Sequence, residues 1–208
     1  MAAWSVEADA LGHQFTDRWV FSNLTFQLPA GSRVALTGSN GSGKSTLGRV
    51  LAGHLVPTAG TCRWNGSSDH TRVPLETLLV GTGAALPGHL TGHEALRFHA
   101  AFRHVPAPDA VLARWTEAGL SRFLDVPLRT LSTGMRARMH LGLAWGTEAA
   151  LVVLDEPAAN LDARGKAWYR GLLDDWAGRA TVVVCTNALE EECPGAGVHV
   201  HLDDWARM

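Results

Sequence analysis

The segment Gly38–Thr46 reads GSNGSGKST, a glycine-rich turn that ends in a lysine and two hydroxyl residues. It satisfies the pattern G-x-x-x-x-G-K-[ST], in which glycines let successive backbone N–H groups face one centre. Lys44 can then reach the outer phosphates of a nucleotide, and the Ser45 hydroxyl can ligate Mg²⁺. A flexible Gly/Ser turn is the alternative, but the complete pattern favours a phosphate loop. The residues of this phosphate loop are Gly38, Ser39, Asn40, Gly41, Ser42, Gly43, Lys44, Ser45 and Thr46.

A pair of acids follows the apolar segment LVVL at 151–154. A buried strand there would deliver Asp155 to the carboxyl edge of a sheet, where ligands bind in open α/β folds. Asp155 is then placed to hold Mg²⁺, and Glu156 to polarise an attacking water. The alternative is that both acids are only solvated charges in a loop. A position opposite the phosphate loop favours the roles in Mg²⁺ binding and water activation.

Two further segments carry polar residues at positions where elements begin or end. In LSTGMRARMHLGLAW (131–145), Ser132 resembles a helix N-cap, and Thr133 and Gly134 open the helix. An ordinary capped amphipathic helix explains that segment by itself. Asn187 follows the apolar run TVVVC (181–185) and offers both a donor and an acceptor. It can reach a ligand, or cap a helix over 188–192, and the two roles are compatible.

The elements that must position these residues follow from apolar patterning and turn residues. Strands are predicted at 4–10, 19–28, 33–37, 61–64, 76–80, 151–154, 181–185 and 198–202. Helices are predicted at 45–52, 93–103, 109–118, 135–145 and 163–177. Buried apolar strands separated by helices predict a mainly parallel sheet covered on both faces.

Composition limits the possible partners and compartment. The chain has 208 residues and a formal net charge of −2, which does not suit a general nucleic-acid binder. Its three cysteines lack metal-ligand spacing and are predicted to be buried free thiols in a reducing compartment. Neither a signal peptide nor an apolar run of membrane-spanning length is apparent, so we expect a cytoplasmic or peripheral membrane protein.

Taken together, these motifs resemble those of the ATP-binding subunits of ABC transporters over essentially the whole chain. The resemblance implies that Ser132, Thr133 and Gly134 correspond to the fingerprint LSGGQ, which binds the γ-phosphate of the nucleotide held by the partner subunit. Here the segment reads LSTGM, so Thr133 and Met135 depart from the fingerprint. It also implies that Asn160 and Asp162 lie in a loop that crosses the dimer interface. Phe15 is either a core residue or, as the family implies, a ring stacked on adenine.

The implied fold class is α/β, with a P-loop NTPase (RecA-like) core, an N-terminal antiparallel β lobe and an inserted α-helical subdomain. The single ABC ATP-binding domain would span residues 1–208. The β lobe would cover about residues 1–32, and the helical subdomain, facing a membrane partner, about residues 84–131.

Two further positions depart from the family pattern. Family members usually have a glutamine that touches Mg²⁺ and the attacking water, and the matching position here is Thr82 or Gly83. The position of the family's switch histidine is occupied by Asn187. Asparagine is shorter and cannot become cationic, so it is a weaker partner for developing charge. Because Lys44, Asp155 and Glu156 are all present, slow hydrolysis is predicted rather than none.

The resemblance implies an ABC transporter subunit that dimerises on MgATP and hydrolyses it to drive a separate multi-span permease. Its partners would be a second ABC subunit, identical or different, and the permease, at the inner face of the cell membrane. The segment LPGHLTGHEALRF is similar to the haem-exporter ATPases of cytochrome c maturation, a short exporter type. The alternatives are a hydrolysis-deficient regulatory subunit of an asymmetric pair and a non-transport ABC ATPase.

Overall fold

The structure, a computed structural model, describes residues 1–81 and 86–205. The chain divides into two compact units. The core unit comprises Met1–Leu79, Ala149–Glu156 and the residues from Trp176 onward, and the helical unit comprises Val80–Glu148 and Pro157–Asp175. Within the described ranges, no helix is both long enough and apolar enough to cross a membrane.

Strands and helices follow the predicted order. The described strands are β1 (Val6–Phe15), β2 (Arg18–Leu28), β3 (Arg33–Thr37), β4 (Ala59–Trp64), β5 (Thr77–Val80), β6 (Leu151–Asp155), β7 (Thr181–Cys185) and β8 (Val198–His201). The described α-helices are α1 (Lys44–Leu51), α2 (Val73–Glu76), α3 (Gly92–Ala100), α4 (Pro108–Glu117), α5 (Thr133–Gly146), α6 (Ala163–Trp176) and α7 (Leu189–Glu192). The short helix α2 was not predicted, because a single turn carries no detectable periodicity.

The antiparallel β lobe is a three-stranded sheet in the order β2-β1-β4, and its third strand, β4, lies beyond residues 1–32. The prediction for the first strand, residues 4–10, was wrong at its carboxyl end, since β1 continues to Phe15. The register shifts between Ala8 and Leu11, and Ala10 has a φ of 47°. Such a bulge interrupts the inward–outward alternation, and this is why the sequence pattern stops at residue 10.

A five-stranded sheet in the order β5-β6-β7-β3-β8 forms the centre of the core unit. β3 pairs in parallel with β7 and β8, and β6 pairs in parallel with β7. All residues of β7 are buried, which explains its continuous apolar sequence. Because the strands are parallel, the phosphate loop after β3, the acids at the end of β6 and the turn after β7 leave from the same edge.

Helix α1 packs closely on this sheet. A Cβ at Gly48 would lie 3.1 Å from Val153 Cγ1 and 3.2 Å from Cys185 Sγ, so a larger residue would push the helix away. The predicted free thiols are confirmed, since Cys62, Cys185 and Cys193 are all buried and unbridged. Burial raises the pKa of Cys62 to about 12 and that of Cys193 to about 11.

The helical unit has its own apolar core, to which α3, α4, α5 and the segments between them contribute. Trp115 of α4 is fully buried, and its Nε1–H donates to Met139 O of α5 at 3.1 Å. A Cβ at Gly142 would lie 2.4 Å from Trp115 Nε1, so the glycine allows the two helices to approach. Helix α3 begins at a reciprocal capping box between Thr91 and Glu94.

Candidate functional site

The phosphate loop connects β3 to α1, as its sequence predicts. Gly38, Gly41 and Gly43 have φ values of 147°, 79° and 105°, a region that residues with a Cβ rarely adopt. Gly43 is the N-cap of α1, and no side chain caps the helix there. The first-turn N–H groups of α1 therefore point toward a position suited to an anion, where the helix dipole adds positive potential.

Lys44 is folded back over the loop. Its side chain is buried, and Nζ donates to Gly38 O at 2.8 Å and to Ser39 O at 3.0 Å. Ser42 Oγ is also buried and, among the described residues, has no hydrogen-bond partner. The unsatisfied Ser42 hydroxyl fits a phosphate ligand, because buried polar groups are normally paired. The buried Lys44 ammonium supplies positive charge in the same loop.

The acids of β6 lie at the edge from which the phosphate loop starts. Asp155 pairs with Cys185 of β7, and the Glu156 N–H donates to Cys185 O at 2.9 Å. Glu156 has a φ of 49°, and a residue other than glycine in this region carries backbone strain of about 1–3 kcal/mol. Its side chain is exposed, whereas Asp155 is half-buried. The exposed Ser45 hydroxyl and the Asp155 carboxylate are hard oxygen donors, which suit Mg²⁺.

Asn187 contacts the phosphate loop. Its Nδ2 donates to Asn40 Oδ1 at 2.5 Å, across 147 positions of sequence. The capping alternative is not supported, because α7 has Ala188 at its N-cap and no side-chain cap. The Ala188 N–H is instead bound by Thr186 Oγ1 at 2.8 Å. The structure therefore brings Asn187 and Asn40 together at the sheet edge, while Thr82 and Gly83 lie outside the described residues.

Phe15 ends β1, and its side chain is 50% exposed. The alternative prediction, that Phe15 is a core residue, is therefore wrong. The ring packs edge-on against His13, with centroids 4.7 Å apart, and this leaves an aromatic surface on the β lobe. The next strand, β2, touches the phosphate loop, since a Cβ at Gly43 would lie 2.6 Å from Val20 Cγ1. Val20 was not predicted as part of the site, because an apolar strand residue carries no chemical signal.

The fingerprint segment belongs to the helical unit. Ser132 is the N-cap of α5, as predicted, and its Oγ accepts from the Met135 N–H at 3.2 Å. A Cβ at Gly134 would lie 2.5 Å from Asn160 O, so the backbone of the predicted interface loop passes directly over this glycine. Thr133 begins α5.

Asp162 links the predicted interface loop to two helices of the same unit. Its Oδ1 accepts from the Gly165 N–H of α6 at 2.7 Å and from Arg138 Nη2 of α5 at 2.5 Å. The Gly165 N–H and then the Arg138 guanidinium hold the pKa of Asp162 below its usual range. Arg138 was missed, because its distance from Asp162 in sequence gives no sign of the contact. The fingerprint helix and the interface loop are thus fastened together.

A glycine-rich loop at the start of a helix, an acidic pair at the same edge of a parallel sheet and a buried loop lysine define a P-loop ATPase. The chain belongs to the ABC transporter family, whose profile matches residues 21–159. It is an ATP-binding subunit of that family and an ATPase, and its predicted fold class is confirmed.

Relatives place the chain among short ABC subunits. It is 32% identical over 199 residues to the cytochrome c biogenesis ATP-binding export protein CcmA of Mannheimia succiniciproducens, covering 94% of this chain and 92% of the relative. It is 37% identical over 195 residues to CcmA of Cupriavidus necator, covering 91% and 84%. The solved structure of an ABC transporter ATP-binding subunit matches with a TM-score of 0.78 at 26% identity, covering 90% of this chain and 82% of that one.

Proposed function

We propose that this chain dimerises head to tail on MgATP and drives export through a separate membrane permease. Each nucleotide lies between the phosphate loop of one copy and Ser132–Gly134 of the other, as in the family. The observation that supports the proposal most is the meeting of functional elements at one sheet edge. There Asn187 binds the phosphate loop, and the Glu156 N–H is fixed to Cys185. The similarity to CcmA proteins, which are named as export proteins, supports export as the direction of transport.

In this proposal the chain's own residues bind, orient and activate. The N–H groups of the phosphate loop and Lys44 bind the phosphates, while Phe15 stacks on the adenine ring. Ser45 and Asp155 hold Mg²⁺, which offsets phosphate charge when bound. Glu156 accepts a hydrogen bond from the attacking water and orients it toward the γ-phosphate. Asn160 and Asp162 keep the interface loop against the fingerprint of the same chain, so that movement of one displaces the other.

Hydrolysis is slow in this proposal because Asn187 replaces a charge-capable histidine. We expect Asn187→His to raise the turnover number about tenfold, since a donor aimed at developing charge contributes strongly in the transition state. ATP affinity should hardly change, because the gain is made only as charge develops. Asn187→Ala should lower turnover. The measurement is steady-state phosphate release, with ATP affinity from calorimetry.

Asn40→Ala is the matched control for this experiment, because it removes the acceptor that Asn187 now binds. If Asn187 acts only by holding Asn40, then Asn40→Ala and Asn187→Ala should reduce turnover equally. Equal rates for the unmodified chain, Asn187→His and Asn187→Ala would contradict a catalytic role. The hydrolysis-deficient regulatory subunit would then be favoured, a reading that the substitution of the switch histidine already supports.

The permease contact is assigned to the helical unit, which carries two exposed aromatic side chains. Phe98 is 46% exposed and Phe102 is 73% exposed, and their rings pack edge to face with centroids 5.2 Å apart. We expect Phe102→Ser to reduce co-purification of the chain with membranes severalfold, since an exposed aromatic patch at an interface carries much of its binding energy.

The control is Leu75→Ser, because Leu75 of the core unit is 70% exposed and equally apolar. It should leave co-purification unchanged. Equal recovery of both variants with membranes would contradict the assignment of the permease contact to the helical unit. Recovery of the unmodified chain with ribosomes or DNA instead would favour the non-transport alternative. In the proposed role the chain lies at the inner face of the cell membrane.

A further inference from the structure

Ser39, the second residue of the phosphate loop, is held by a carboxylate from the turn after β8. The Ser39 N–H donates to Asp203 Oδ2 at 2.7 Å, and Ser39 Oγ donates to Asp203 Oδ1 at 2.9 Å. Both oxygens of one carboxylate therefore bind one residue. Charge-assisted bonds of this kind are stronger than neutral ones, and a two-point contact also fixes orientation.

The position of Asp203 is set by strand pairing and not by the loop that it holds. β8 pairs in parallel with β3, and Thr37 lies opposite His201. His201 Nδ1 is 2.9 Å from Thr37 Oγ1, and His201 Nε2 is 3.6 Å from Asp203 Oδ2. The intervening Leu202 also contacts the loop, because a Cβ at Gly38 would lie 3.3 Å from Leu202 Cβ. The residues that directly precede Asp203 are thus fixed to β3 and to the start of the phosphate loop.

The other side of Ser39 faces the machinery of the phosphate loop. Ser39 O accepts from Lys44 Nζ and from the Ser42 N–H, each at 3.0 Å. Ser39 therefore stands between Asp203 and the ammonium that is assigned to the phosphates. Asp203 binds the phosphate loop through the backbone and the side chain of Ser39.

We propose that Asp203 is a positioning residue for nucleotide binding, acting through Ser39 to fix the first half of the phosphate loop and the Lys44 ammonium. The proposal rests on the proposed function, because it concerns the same site. A carboxylate close to a polyanion site is electrostatically unfavourable, so its charge alone would weaken binding. In this proposal its geometric contribution outweighs that repulsion.

Two substitutions separate geometry from charge. Asp203→Ala removes the charge and both hydrogen bonds. Asp203→Asn removes the charge but keeps an oxygen for the Ser39 N–H, and its amide can donate to Ser39 Oγ. If repulsion dominated, both variants would bind ATP more tightly. Under the proposal Asp203→Ala binds ATP about tenfold more weakly, in line with the loss of charge-assisted bonds at a partly exposed site. Asp203→Asn binds ATP at least as tightly as the unmodified chain does.

The experiment is calorimetric titration of the full-length chain with MgATP in a Glu156→Gln background, which suppresses hydrolysis during the measurement. Asp204→Ala is the matched control, because it removes the neighbouring exposed acid. The affinity of this variant for MgATP should equal that of the unmodified chain. Amide hydrogen exchange without nucleotide gives a second readout. The Ser39 amide should exchange faster in Asp203→Ala and not in Asp204→Ala.

Unchanged affinity in Asp203→Ala, or tighter binding in both Asp203 variants, would overturn the inference. Its failure is distinguishable from failure of the proposed function. Absence of ATP binding by the chain with Asp203 intact would overturn both. Normal binding by that chain together with equal binding by Asp203→Ala would overturn the positioning role alone. Thermal unfolding of each variant shows whether a loss of affinity accompanies a loss of fold.

Discussion

Lys44→Ala should reduce the affinity for MgATP by about 100-fold or more. Each charge-assisted hydrogen bond contributes about 1.5–3 kcal/mol, so losing two phosphate contacts costs about 3–6 kcal/mol, or about two to four powers of ten. Lys44 and Lys166 are the two lysines of the sequence, and Lys44 is the one in the phosphate loop. The measurement is calorimetric titration with MgATP.

Lys166→Ala is the charge-matched control for this titration, since Lys166 lies on α6 in the helical unit. Its affinity for nucleotide should match that of the unmodified chain. Lys44→Ala also removes the donor to Gly38 O and Ser39 O, so thermal unfolding without nucleotide must be compared as well. A folded Lys44→Ala variant with unchanged ATP affinity would show that the phosphate-loop assignment is wrong.

Local patterns predicted most of the fold and the backbone geometry of the phosphate loop. The glycine spacing of 38–46 reports a backbone requirement, which the positive φ values of Gly38, Gly41 and Gly43 meet. The apolar runs before Asp155 and Asn187 report burial on both faces of a parallel strand, and β6 and β7 are buried in that way. Such features are encoded within a few residues, so a sequence displays them directly.

Contacts between distant segments were not predictable in the same way. Asn187 with Asn40, Asp203 with Ser39 and Arg138 with Asp162 each depend on how strands pair or helices pack. Their residue types are common on protein surfaces, and nothing nearby in sequence distinguishes them. The bulge in β1 had a similar effect, because it broke the alternation and hid the strand that carries Phe15.

Together, the long-range contacts show how the phosphate loop is held from two sides. Asn187 after β7 binds Asn40, and Asp203 after β8 binds Ser39. Both β7 and β8 pair with β3, the strand that leads into the loop. The two flanking strands therefore each supply one side chain to adjacent loop residues. A displacement of β7 or β8 would therefore move the phosphate loop, even though the sequence of the loop is unchanged.

Glu156→Gln should lower the rate of ATP hydrolysis by about 100-fold or more, because a positioned general base typically contributes about 10²–10⁴-fold. Binding of MgATP should be retained, since the phosphate loop is untouched. Gln has nearly the same shape as Glu and meets the same strain at a φ of 49°, so thermal stability should not change. With hydrolysis blocked, the ATP-bound dimer of the proposed function should persist and elute as a dimer in size-exclusion chromatography.

Glu190→Gln on α7 is the control, because it removes an exposed acid a short distance beyond β7 and should leave turnover unchanged. Turnover of Glu156→Gln equal to that of Glu190→Gln would show that Glu156 does not activate water. A monomer at every ATP concentration would mean that dimerisation requires the permease or a different ABC subunit.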